Sequence, residues 1–483
     1  SDWSSDVCSS DLKSSAMVRF APLIAPVMHQ INVYTHYFFV PNRLTWDGWE
    51  QFITGGELGA ADRPWPHLSI DFGTVATGSL HDYLGLPTSV DVGSGGATTE
   101  LVSALPYAAY QLIWDEYYRD ENLQATSFTP LVDGLNTNLY STLRNRAWSK
   151  DYFTSALPWT QKGPEAMLPL GTQAPIVAKL PNPSQTQTVN LSTGGVLASG
   201  SLNSVSGNLS DLTNDLYIDL NDTHYTDLSQ ASASSIIELR RAFRLQEWLE
   251  KNARGGSRYT ESMLVHFGVK SSDARLQRPE YLGGFKSPVS ISEVLQTSAS
   301  NSDVQSFDTP QGNMAGHGIS VGGGKPISHY AEEHGYIIGI QSVLPQPAYQ
   351  QGIPKHFLRQ DKFDYFWPEF QHIGEQAILQ KELLIGGNNV GNDETFGYTP
   401  RYAEYKFINS TVHGDYKSSL EFWHLGRKFA EGPLLNSDFI EMDNDEIKRI
   451  FAVEDDTIDN LWCHVFNSIS AKRKMAVYGS PKM

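Results

Sequence analysis

The chain has 483 residues, a formal charge of −18, 40% hydrophobic and 19% charged residues, with 40 Gly and 25 Pro. Such a length and hydrophobic share support a sizeable core, while abundant Gly and Pro favour strands and turns over long helices. The negative balance argues against general attraction to membranes or nucleic acid, and no apolar run approaches the ~20 residues of a membrane span.

Residues 1–12 read "SDWSSDVCSSDL" and resemble one reading frame of a sequencing-library adapter. Taken as that artefact, they leave a native charge of −15 (−18 + 3, for Asp2, Asp6 and Asp11). Cys8 goes with them, and Cys463 remains the one native cysteine. A single cysteine forms no internal disulfide, so a reducing cytoplasm is expected.

"INVYTHYFFVPNRLTW", Ile31 to Trp46, follows. At period 2, Ile31, Val33, Tyr37 and Phe39 point one way, and Tyr34, Phe38 and Val40 the other. This predicts a strand largely apolar on both faces. Either the chain's own inserts or another copy must cover the second face. "LPYAAYQLIWDEYYRDEN" predicts a short helix whose stripe of Tyr107, Tyr110, Ile113, Trp114 and Tyr117 is a packing surface.

Long loops are expected at Thr88–Thr99, at Thr172 to about Ser232, and at Gln296–Pro326. The middle one carries apolar pulses such as "VLASGSL" and "LYIDL" and reads as an inserted subdomain, since structureless loops of that length are unusual. A clear helix comes next in "SSIIELRRAFRLQEWLEKNARGG". Ser235 and Glu238 form a capping box, Ile236, Leu239, Ala242, Leu245 and Leu249 form an apolar stripe, and Gly255 and Gly256 supply the stop. Further strand-like runs are "HGYIIGIQSVL", "KFDYFWPEF" and "RYAEYKFI".

Catalytic motifs fail their spacing tests. "GHGISVGGGKP" places Ile319 where a phosphate loop needs Gly, and Pro326 where it needs Ser or Thr, so it reads as a flexible loop. His329 and His334 in "HYAEEH" stand at i,i+5, about 140° apart on a helix, rather than at the i,i+4 of zinc proteases. Adjacent carboxylates such as Asp115 and Glu116 diverge in any regular element. Cys463, beside His464 in "LWCHVF", reads as a buried structural cysteine. No catalytic, cofactor or metal residue is assigned. The acidic, aromatic-rich composition leaves one alternative, a secreted carbohydrate-binding or glycoside-hydrolysing β-sandwich.

Several segments together resemble the major capsid protein of the Microviridae, in particular its gokushovirus branch. They include "APVMHQINVYTHYFFVPNRLTWDGW", "DYFTSALPWTQKGP", "RYTESMLVHFGVKSSDARLQRPEYLGG", "FDYFWPEFQHIGEQAILQKEL", "FGYTPRYAEYKF" and "KMAVYGSPKM". The matches run in order from about Ala16 to Met483. The family's N-terminal segment is missing behind the adapter-like residues.

The resemblance implies a mainly β fold: an eight-stranded antiparallel jelly roll of viral capsid type, with large loop insertions and a few short helices. The jelly roll would span 13–171 and 233–483, interrupted by an inserted surface subdomain at 172–232 that forms a threefold protrusion. The implied function is a structural, non-enzymatic subunit of a T=1 icosahedral virion, assembled in the bacterial cytoplasm. Implied partners are further copies of the chain, the single-stranded DNA genome, a small basic DNA-binding protein, a DNA pilot protein, an internal scaffolding protein and a host-cell receptor. No membrane insertion is expected. An acidic subunit needs local basic contacts to hold DNA. Lys472, Arg473 and Lys474 form one cluster, and Arg144, Arg146 and Lys150 around Trp148 form another.

Overall fold

The computed structural model describes residues 3–5, 9–55, 63–93, 96–137, 141–164, 176–178, 190–193, 196–199, 215–217, 224–226, 236–256, 258–297, 312–442, 444–453, 455 and 458–472. The chain divides into two units, 1–160 with 253–483, and 161–252.

In the first unit the strands are β1 (Ser9–Phe20), β2 (Ile31–Pro41), β3 (Glu280–Pro288) and β4 (Ser290–Leu295). They continue with β5 (Met314–Gly323), β6 (Ile327–Tyr330), β7 (Gly335–Pro345) and β8 (Leu461–Lys472). One antiparallel sheet runs β7-β2-β3, with Trp3–Ser5 added beside β7. In the other, β8 pairs along the whole of β1, whose opposite edge is shared by β5 and β6, and β4 lies beyond β5. The fold is thus mainly β, built from several antiparallel sheets with few helices.

Side-chain alternation joins the two sheets. Along β1, Leu12, Ser14, Ala16, Val18 and Phe20 are buried while the residues between them are exposed. Val18 and Phe20 pack with Ile31 and Val33 of β2. Farther along, Leu12 packs with Tyr37 and Phe39. One face of β2 therefore fills the space between the sheets.

The second face of β2 is covered by the chain itself. Phe38 and Val40 share a core with Trp46, Leu68, Ile70, Tyr107 and Ile113. Tyr107 and Ile113 belong to α1 (Leu105–Ile113), every residue of which is buried. A π-turn, Trp114–Tyr118, extends it and brings the Tyr117 ring within 4.7 Å of Phe38. The aromatic stripe of this helix is a packing surface, as its spacing suggested.

Several sequence expectations are corrected. Gln296–Pro326 is not one long loop, because β5 lies inside it; residues 298–311 fall outside the described set. The Gly-rich run is strand because β5 packs too closely to its neighbours for side chains. A Cβ on Gly316 would lie 2.3 Å from Ala25 O, and one on Gly322 would lie 2.5 Å from Ser287 Cβ.

"KFDYFWPEF" forms two short turns, Lys362–Asp364 and Pro368–Phe370, rather than a strand. Asp364 accepts from the backbone N–H groups of Gln360 and Asp361 at 2.9 and 3.0 Å, and Pro368 has no N–H to give a ladder. "RYAEYKFI" likewise turns, since Tyr402 is left-handed at φ 64° and leads into Ala403–Tyr405. Cys463 is exposed rather than buried. It lies on β8, which among the described residues pairs only with β1, so within that set one edge of the strand has no neighbour.

The second unit contains the antiparallel pair Ile176–Ala178 with His224–Thr226. It also holds a three-stranded sheet of Val196–Ser199, Asn190–Thr193 and Asp215–Tyr217. Helix α2 (Ile236–Gly255) follows, largely within this unit, and ends near the predicted glycine stop. Ser235, the expected cap, lies outside the described residues. The expected burial of the stripe holds only at its C-terminal end: Leu249 is buried, whereas Ile236 and Leu245 are exposed.

Candidate assembly and nucleic-acid surfaces

The basic residues singled out in the sequence fall into different environments. Arg144 Nε donates to Gln111 Oε1 at 2.9 Å, and its guanidinium lies 5.2 Å from the Trp114 ring centroid. Arg146 donates to Ser342 Oγ and lies 4.8 Å from the Tyr34 ring and 5.2 Å from the Tyr118 ring. Lys150 Nζ donates to Asp120 Oδ2 at 2.5 Å and to Thr154 O at 3.0 Å. Trp148, between them in sequence, is buried. All three cations thus engage groups of their own chain.

Burial around Arg146 affects its neighbours. Desolvation lowers the Arg146 pKa. Desolvation, and then the Arg146 charge, lowers that of His36, whose Nδ1 lies 2.8 Å from Tyr118 Oη. The His36–Tyr118 contact, with the Arg146 guanidinium over the Tyr118 ring, binds β2 to the α1 segment.

Lys472 closes β8 and is exposed; Arg473 and Lys474 lie outside the described residues. Register places Lys472 on a broader surface. On β1, Lys13, Met17 and Arg19 point away from the other sheet, and on β8 so do Trp462, His464 and Phe466. Trp462 stands opposite Arg19, and His464 opposite Met17. The same face of β5 contributes Val321, opposite Met17. Sequence reading missed Lys13, Arg19, Trp462 and Phe466. Their signal was the period-2 alternation of "KSSAMVR" and "WCHVF".

A separate surface gathers exposed aromatic residues on the turns at 355–373 and 401–408. Phe366 lies 5.1 Å from Tyr402 and 6.0 Å from Tyr405 between ring centroids. Trp367 Nε1 donates to Lys362 O at 2.9 Å, and Arg359 lies 4.4 Å from the Tyr405 ring. Tyr365, Phe366, Trp367, Phe407 and Ile408 are all exposed there, Ile408 to 95%. Aromatic residues and arginine, with charges balanced by Asp364 and Glu404, make the composition of an interface core.

Among the described residues, no group of three His, Cys, Asp or Glu is placed to hold a metal ion, and no helix is long and apolar enough to cross a membrane. Within the described residues the first unit is a double-sheet β subunit with a shared core and exposed aromatic and basic surfaces.

Comparison with known proteins agrees with this class. The family described as "Capsid protein (F protein)" matches residues 8–483. Capsid protein VP1 of Bdellovibrio phage phiMH2K is 38% identical over 496 residues, covering 98% of this chain and 89% of that protein. Capsid protein VP1 of Chlamydia phage 1 is 35% identical, covering 97% and 89%, and that of Spiroplasma virus 4 is 32% identical, covering 97% and 88%. The chain belongs to the capsid F protein family. It is a structural capsid protein of the Microviridae type and a virion component, not an enzyme.

Proposed function

We propose that this chain assembles into a closed T=1 icosahedral shell around single-stranded DNA, and that its sandwich is an eight-stranded jelly roll. The observation that carries the fold reading is the nesting of strand pairs: β1 with β8, β2 with β7, and β4 with β5. The remaining two, β3 and β6, meet through Leu282 and Ile327, which pack on one cluster. A chain folded on itself as one antiparallel ribbon and then rolled contains these three pairs. The threefold and fivefold axes of such a shell require heterologous contacts between copies, and the exposed aromatic turns suit one of them. A basic DNA-binding protein, a pilot protein and a scaffolding protein of the same phage are the expected helpers.

Hydrodynamic size is the test. The parent chain, expressed with its phage partners, should sediment as a megadalton particle, and Trp367→Glu should shift it to slow-sedimenting subunits with unchanged circular dichroism. A parent that remains monomeric would defeat the shell reading. Full assembly of Trp367→Glu would remove the aromatic turns from the interface.

The insertion at 172–232 has a second role in this reading. We infer that it forms protrusions at threefold axes, where three copies bury apolar groups that one copy exposes, and that it attaches the particle to its host. Exposed apolar residues of α2, Ile236 and Leu245 of the stripe with Phe243 and Trp248 beside it, support trimeric packing. Exposed insertions on a rigid scaffold commonly carry binding specificity. Replacing Pro183–Asp215 by a short Gly/Ser linker should leave shells intact and abolish adsorption to host cells. Shells that still infect would reduce the insertion to a decorative surface loop.

A further inference from the structure

We infer that the outward face of the β8-β1-β5 sheet is the surface on which the packaged single-stranded DNA lies, with bases stacked on Trp462 and Phe466 and phosphates held by Arg19, Lys13 and Lys472. The inference rests on the proposed DNA-enclosing shell and names the part of the subunit that meets the genome.

Charge is the first argument. The chain carries −18 overall, yet this face of β1 and β8 presents Lys13, Arg19 and Lys472 against a single acid, Asp11. Among the described residues none of the three cations forms an ion pair, unlike Arg144, Arg146 and Lys150, which engage their own chain. Free cations on an acidic subunit are complementary to a polyanion.

Aromatic placement is the second argument. Trp462 is 48% and Phe466 59% exposed, on one face of one strand with His464 between them on that face. Residues i and i+4 on a strand stand about 13 Å apart. That spacing admits two stacked nucleotides in an extended single strand. Arg19 lies across from Trp462, Ser15 across from Phe466 and Lys13 across from Ser468, so one cation stands opposite the first ring and another lies one same-face position beyond the second. Flat sheet faces with aromatic stacking platforms and flanking cations are a general way to bind single strands without reading sequence.

Apolar surface whose charges are balanced within the chain would have suggested another copy of the chain. The exposed turns around Trp367, where Arg359 pairs with Glu404, match that description, and the sheet face does not. Duplex DNA fits poorly, since paired bases cannot reach the rings.

The test uses the full chain with a fluorescent oligothymidylate, and virus-like particles assayed for packaged DNA. Arg19→Gln with Lys472→Gln changes only exposed charges and should lower the dependence of log affinity on log salt by about 1.4, about 0.7 per cation. Trp462→Ala and Phe466→Ala should each weaken oligothymidylate binding by about 5- to 150-fold, and Trp462→Phe should retain most of it. Particles built from the double aromatic variant should hold less DNA at normal yield.

Unchanged salt slope and affinity would overturn the inference, as would equal binding of duplex. Loss of particles with full oligonucleotide binding would reassign the face to a contact between subunits. Should the parent chain make no DNA-filled particle, the shell reading fails by itself, and oligonucleotide binding by the unassembled chain still decides the role of the face.

Discussion

Gly316→Ala should leave little soluble, assembly-competent subunit, although it adds one methyl group. Its Cβ would meet Ala25 O at 2.3 Å, Ala25 C at 2.8 Å and Leu23 Cβ at 2.9 Å. Two of those atoms are backbone and cannot rotate away. The same backbone segment is tied by reciprocal hydrogen bonds, Leu23 N to Gly316 O at 3.0 Å and Gly316 N to Leu23 O at 3.1 Å. Leu23 is buried in the cluster that joins the two sheets. Relief of the clash therefore means separating β5 from the chain that follows β1. Overpacking of this kind costs about 3 kcal/mol or more, a large share of the roughly 5–15 kcal/mol that holds a domain.

Gly323→Ala is the control. It lies in the same strand, and its Cβ would meet nothing closer than Ser14 O at 3.4 Å. Soluble yield and the urea midpoint should fall sharply for Gly316→Ala and stay near parent for Gly323→Ala. Equal, small effects would show that β5 is not packed against residues 23–25 as described.

Phe38→Ala should destabilise the subunit by about 3–5 kcal/mol, the range for emptying a large aromatic from a core. Phe38 is 2% exposed, with ring centroids of Tyr117 at 4.7 Å and Tyr281 at 5.4 Å. It fastens the α1 segment to the second face of β2, so its loss opens the cover and not only a cavity. Phe38→Leu keeps part of the contact and should cost less. Urea unfolding of the unassembled chain measures both. A loss under about 1 kcal/mol for Phe38→Ala would mean that the inserted segment rests loosely on the sheet.

Local pattern was enough to read β2, β7 and α1, because their apolar periods are long and agree with the elements they form. It was also enough for the family, since the matching segments extend over most of the chain. The turns at Lys362–Asp364 and Ala403–Tyr405 were misread as strand because aromatic residues have the same local preference whether a sheet or another surface will receive them. The glycines of β5 were misread as loop for the opposite reason. Composition records that glycine is permissive and says nothing of the Ala25 carbonyl that demands it.

The surface that carries the genome contact in our reading was partly legible. Lys472 was visible as charge; Arg19 and Trp462 were not, because they lie 443 positions apart (462 − 19) and meet only through the β1–β8 register.

What the sequence determined by itself is the membership of the family, the mainly β character, and the fact that Ile31–Val40 must be covered on two sides. What only the tertiary structure decided is the identity of the covers: β1 on one face, and Trp46, Leu68, Tyr107 and Ile113 on the other. A period of two residues fixes which side chains share a face, since it is a property of the strand's own backbone. The partner of that face is chosen by contacts between residues far apart in the chain, and no local pattern encodes them.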